Sequence, residues 1–123
     1  MVLHIDIRWL LERQAELLPK HPSVHDFSGL VAAVARHRVN TPQIGTAVDS
    51  AWRAAVLMHA VIRLRPLPAR NALYGAAIAV AYMDATREGI DPPYGALIDL
   101  ARDIEAGHTD GYDAADRIRT WRI

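Results

Sequence analysis

The chain has 123 residues, 51% hydrophobic and 23% charged, with fourteen basic and fourteen acidic side chains. That describes one ordinary globular domain over 1–123 and excludes a disordered tail or a polyelectrolyte. No cysteine is present, which removes disulfides, thiolate metal sites and a cysteine nucleophile, and agrees with a reducing cytoplasmic setting.

The neutral total hides an asymmetry. Between Arg36 and Arg70 six arginines face one acid, Asp49, for a net +5, while the remainder carries eight bases against thirteen acids, net −5. One basic face on a neutral protein is the expectation, with simple solvation of the arginines as the alternative. The first residues, MVLHIDIRWLLERQ, mix acids and bases and contain no apolar signal-peptide core. The longest uncharged run, Asn71–Met83, has 13 residues where a bilayer needs about 20, so it predicts a core helix and no membrane span.

In chain order, Asp6 can cap a first helix with Ile7, Leu10, Leu11 and Leu18 on one side, stopped near Pro19 and Pro22. Asp26 opens a second with Phe27, Leu30, Val31 and Val34 at helical spacing, running to about His37. Arg38–Val48 lacks a helical period and holds Pro42 and Gly45, which predicts a loop or short hairpin. Asp49 or Ser50 caps a third helix through Trp52, Val56, His59 and Ile62, ended by Pro66 and Pro68.

A fourth helix, about Arg70–Thr86, is apolar all round and predicts the central buried element, with Gly89 as its terminating residue. A fifth covers about Tyr94–Glu105 and ends at Gly107, and a sixth runs from about Asp110 to Trp121. The fold class is therefore all-α, a compact six-helix bundle with a short loop or hairpin flap. Trp9, Trp52 and Trp121 fall at core positions of these helices.

The loop Arg63–Arg70 brings cationic side chains to the start of the fourth helix, where unpaired N–H groups favour an anion. Asn71 either joins that anion site or serves as an N-cap. His21 and His25 are split by Pro22 and two ligands make no stable metal site, so no metal ligand is assigned. His59 reads as a partly buried histidine near the loop. No serine has a matched base, and no nucleic-acid motif is present.

Several segments together resemble the Fic/Doc family, closest to its short Doc-type toxins, over nearly the full length. These are His4-Ile5 with the leucine-rich first helix, Leu30–Arg38 (LVAAVARHR), Ala54–Met83, and Glu105–Trp121 (EAGHTDGYDAADRIRTW). The family signature H-P-F-x-[D/E]-[A/G]-N-[K/G]-R reads here Arg65-Pro66-Leu67-Pro68-Ala69-Arg70-Asn71-Ala72-Leu73. The resemblance implies a Fic-type helical fold, with Arg38, Val39, Asn40 and Thr41 in the target- or partner-docking flap. It also implies ATP with magnesium as cofactor, transfer of a nucleotidyl or phosphoryl group to a protein hydroxyl, a translation factor such as elongation factor Tu as target, and an antitoxin-like protein as partner.

Position by position the signature is degenerate. Its general base falls on Arg65, which stays protonated and cannot accept a proton. Its metal-holding acid falls on Ala69, and its closing phosphate clamp on Leu73. Pro66, the apolar plug Leu67 and the anion-nest Asn71 are retained. No catalytic residue is assigned, and Arg65, Arg70 and Asn71 stand as candidate anion- or nucleotide-binding residues. The expectation is a Doc-like toxin component of a toxin–antitoxin pair. The alternative is a non-catalytic module holding an antitoxin-like or acidic protein.

Overall fold

The computed structural model describes residues 3–17, 24–39 and 48–123. They form six helices: α1 (Ile7–Leu17), α2 (Phe27–Arg38), α3 (Ser50–Leu64), α4 (Asn71–Ala85), α5 (Ala96–Glu105) and α6 (Gly111–Trp121). The all-α bundle expected from the sequence is what forms. Four of the helices start on an aspartate whose carboxylate accepts a backbone N–H of the first turn. The pairs are Asp6 with Trp9 at 2.9 Å, Asp26 with Ser28 at 3.0 Å, Asp49 with Trp52 at 2.9 Å and Asp110 with Asp113 at 2.9 Å. A carboxylate there satisfies an orphan donor and meets the positive end of the helix dipole.

The central element is α3, which corrects the expectation that α4 holds that place. Eleven of the fifteen α3 residues are buried, against eight of fifteen in α4. α3 packs against α2, α4, α5 and α6. On α4, Leu73 is 41% exposed and Ala72, Ala77, Val80 and Ala81 are partly exposed. The apolar character of α4 comes largely from alanine, whose methyl gains little by burial. α3 carries two arginines that disguise it. Arg53 is buried because its Nη1 donates to the His37 carbonyl at 2.6 Å, and Arg63 reaches the end of α5.

The helix ends follow local chemistry. α4 closes with a left-handed residue, but it is Arg87 (φ 67°) rather than Gly89 that takes the first such position. The N–H groups of Arg87 and Glu88 return to the carbonyls of Asp84 and Met83 at 2.9 and 3.2 Å, the paired bonds of a Schellman ending. α5 ends the same way through Gly107 (φ 80°), as expected. The α4–α5 connection is tied to the last residues by Asp91 N–H to the Trp121 carbonyl at 2.7 Å and by an antiparallel bridge between Ile90 and Arg122.

A strap, residues 3–6, precedes α1 and lies across the bundle. Leu3 offers its carbonyl to the Tyr82 hydroxyl, the Ile5 N–H donates to His37 Nε2 at 2.9 Å, and Arg38 Nη2 donates to the Ile5 carbonyl at 2.9 Å. Arg38, expected in the flap, is therefore the last residue of α2 and holds the strap. Val39 is the exposed C-cap, while Asn40 and Thr41 lie outside the described residues, as does most of the expected loop or hairpin. Among the described residues no helix is long and apolar enough to cross a membrane.

Candidate functional site

The loop between α3 and α4 is shaped by two left-handed arginines. Arg65 (φ 50°) ends α3 and donates its N–H to the Val61 carbonyl at 3.1 Å, and Arg70 (φ 64°) precedes α4. Such a conformation costs a non-glycine residue roughly 1–2 kcal/mol. The surrounding contacts hold it. Leu67 is 1% exposed, seated as the plug the sequence suggested, and the Pro66 carbonyl accepts the backbone N–H groups of His25 (2.9 Å) and Asp26 (3.2 Å).

Asn71 completes the lock. Its Oδ1 accepts the Leu67 N–H at 3.0 Å and its Nδ2 donates to the Leu67 carbonyl at 2.8 Å. The side chain is 7% exposed and turned back into the loop. Of the two roles open in the sequence, the N-cap is not met: Asn71 is the first helical residue, its amide clamps the loop backbone, and the residue lines the hollow beside it. The cap position belongs to Arg70, and no side chain caps the start of α4.

Beside this loop is a hollow of about 290 Å³. Arg65, Arg70, His25 and Glu105 edge it, with the loop backbone between Leu67 and Asn71. Neither the Arg65 nor the Arg70 guanidinium has a hydrogen-bond or ion-pair partner among the described residues. Many other arginines differ: Arg117 pairs with Asp103, Arg119 with Asp49 and Asp116, and Arg122 with Glu88. The hollow thus combines two available cations, an uncapped helix start and one acid. It suits a small anion that Glu105 does not repel outright.

Sequence reasoning did not bring Glu105 to the loop, and Arg63, counted there with the loop, belongs to α3. Arg63 Nη1 donates to the Glu105 carbonyl at 3.0 Å, fixing the end of α5 beside the loop across 42 positions of chain. Nothing in residue spacing signals such a contact. His59 is partly buried on α3, and burial followed by the charge of Arg63 lowers its pKa, with Arg36 acting the same way against Asp110. It does not edge the hollow.

At the positions of the resemblance, Arg65 supplies a permanent charge, Ala69 a methyl group, and Leu73 an exposed apolar side chain. Among the described residues no group of three histidines or carboxylates gathers to hold a metal. A second hollow of about 180 Å³ lies between the strap and the start of α3, edged by Leu3, Asp49, Arg53, Tyr82 and Glu88. Its charges are mixed. No protein-family model, curated protein or solved structure matches this chain.

Proposed function

We propose that the chain is a Fic/Doc-like toxin component of a toxin–antitoxin pair, working in the cytoplasm by gripping an anionic group of a protein partner at the Arg65–Asn71 loop. The observation that carries this reading is the pair of guanidiniums, Arg65 and Arg70, without a partner among the described residues, beside the start of α4, which no described side chain caps, and a 290 Å³ hollow. Two arginines and the helix start offer a phosphate or carboxylate charge-assisted hydrogen bonds without a metal. ATP fits this reading only as a polyphosphate anion.

Transfer by the Fic route is not part of the proposal. It needs a base where Arg65 stands and a magnesium ligand where Ala69 stands. A second reading, a non-catalytic module that holds an antitoxin-like or acidic protein without toxicity, draws on the same losses and on Asn71, whose amide is committed to Leu67.

Thermal unfolding with sulfate, phosphate or ATP, at constant ionic strength and with or without magnesium, tests the anion site. Stabilisation without metal, weakening as salt rises and lost in Arg65→Ala/Arg70→Ala, is expected. No anion response in the wild type removes the site, and magnesium-dependent labelling of a translation factor removes the non-transferring reading. Growth arrest on expression in cells separates the toxin from the inert module.

A further inference from the structure

The buried polar group outside the loop with the most directed bonding is His37. Its ring is fully buried. Nδ1–H donates to the Val34 carbonyl, so the proton sits on Nδ1 and the Nε2 lone pair is what accepts the Ile5 N–H at 2.9 Å. Among the described residues four elements turn a group towards it. The strap contributes the His4 ring edge-on at 5.7 Å, α2 contributes Arg38, α3 contributes Arg53, and α4 contributes the Tyr82 ring at 6.3 Å. The charged neighbours are cations.

We propose that residues 3–5 of the strap form an acid-released latch, held closed by neutral His37 and opened when that imidazole takes a proton. Protonation at Nε2 removes the lone pair and sets an N–H against the Ile5 N–H. It also adds a third cation beside Arg38 and Arg53. The bond from Nδ1 to Val34 survives in both states, and Arg53 holds the His37 backbone carbonyl, which does not titrate. The strap is therefore the element that yields.

Among the described residues its remaining attachments are the Tyr82 and Arg38 bonds, the His4 ring against His37, and the packing of Leu3 and the Ile5 side chain. α1 is fastened separately, by buried Leu10 and by the Tyr74 hydroxyl donating to the Leu10 carbonyl at 2.7 Å. Asp6 stays with α1, its carboxylate accepting the Trp9 N–H at 2.9 Å and its carbonyl the Leu10 N–H at 3.2 Å, so the latch hinges between Ile5 and Asp6. Leu3 edges the 180 Å³ hollow, so release opens that hollow towards Arg53. Burial, only partly countered by the Val34 bond and reinforced by His4, Arg38 and Arg53, pushes the His37 pKa down to about 4, so the latch stays shut near neutrality.

Hydrogen exchange on the full chain, corrected for intrinsic rates and followed from about pH 7 to about pH 4, tests this. The Ile5 amide, the hydrogen-bonded N–H of the strap among the described residues, should lose protection about tenfold or more before the amides of α3, and His37→Gln, which keeps an acceptor but cannot titrate, should abolish that early loss. His4→Gln should keep it and move it to somewhat higher pH, because the His4 charge no longer opposes the proton on His37. Loss of the strap and α3 together, an unchanged acid opening in His37→Gln, or its removal in His4→Gln overturns the proposal. In the wild type, the His37 ring titration read by NMR should coincide with strap opening. An imidazole still neutral when the strap opens overturns it equally, whether or not His37→Gln folds.

Discussion

Gly75 on α4 and Ile62 on α3 are packed so closely that no side chain fits between the two helices. A Cβ on Gly75 would lie 2.5 Å from Ile62 Cγ1, 2.9 Å from its Cδ1 and 3.2 Å from the Met58 carbonyl oxygen. Ile62 is 1% exposed and has no room to retreat. Helix propensity alone would favour alanine here by roughly 0.5–1 kcal/mol, so the close approach decides the sign.

Gly75→Ala should therefore destabilise the fold by about 1–3 kcal/mol in denaturant melts, and Gly75→Leu by more. Ala77 is partly exposed on the same helix, so Ala77→Leu should be tolerated within about 1 kcal/mol. Equal tolerance of both sites would contradict the packing.

Arg119 joins α6 to the start of α3 through a forked pair with Asp49, Nε to Oδ2 at 2.7 Å and Nη2 to Oδ1 at 2.9 Å. Burial by itself would raise the Asp49 pKa. The Arg119 hydrogen bonds, the Trp52 N–H and the nearby charges outweigh it and leave the net value below the usual carboxylate range. Asp49→Asn and Arg119→Lys should each cost about 1–2 kcal/mol, because the lysine cannot reproduce the fork. A double-mutant cycle with a coupling near zero would show the pair to be incidental.

Arg65→Gly and Arg70→Gly should raise stability by about 0.5–1 kcal/mol each, since glycine adopts the left-handed backbone without strain. Both should also remove anion-dependent stabilisation. Opposite effects on stability and binding are the signature of residues kept for their guanidiniums rather than for the fold, and thermal melts with and without sulfate measure both.

Acid should weaken the protein in two stages. Neutral His37 is favoured in the fold, so the unfolded chain binds the extra proton. That contribution is complete above pH 6.5 and is lost as pH falls towards about 4, up to about 3 kcal/mol in total and less where the strap opens first. Asp49, whose pKa is lowered, contributes stability above pH 3.8 that disappears below it. Chemical denaturation across this range should show the first stage flattened in His37→Gln and the second retained.

The sequence by itself determined the six helices and most of their ends, because caps and stops are short-range. Asp6, Asp26, Asp49 and Asp110 each bond within three residues, and Gly107 closes its own turn. It also located the Arg65–Asn71 loop, since a proline-rich break before an apolar helix is visible in one dimension, while the seating of Leu67 was implied by the family resemblance alone. Only the tertiary structure decided that α3 is the centre. Its buried Arg53 is satisfied by a carbonyl 16 residues away, which makes a charged residue a core residue. The same holds for Asn71 turning to Leu67, for Glu105 arriving beside the loop, and for His37 receiving the Ile5 N–H across 32 residues. Burial and hydrogen-bond satisfaction belong to pairs of groups, and the sequence lists the groups without the pairing.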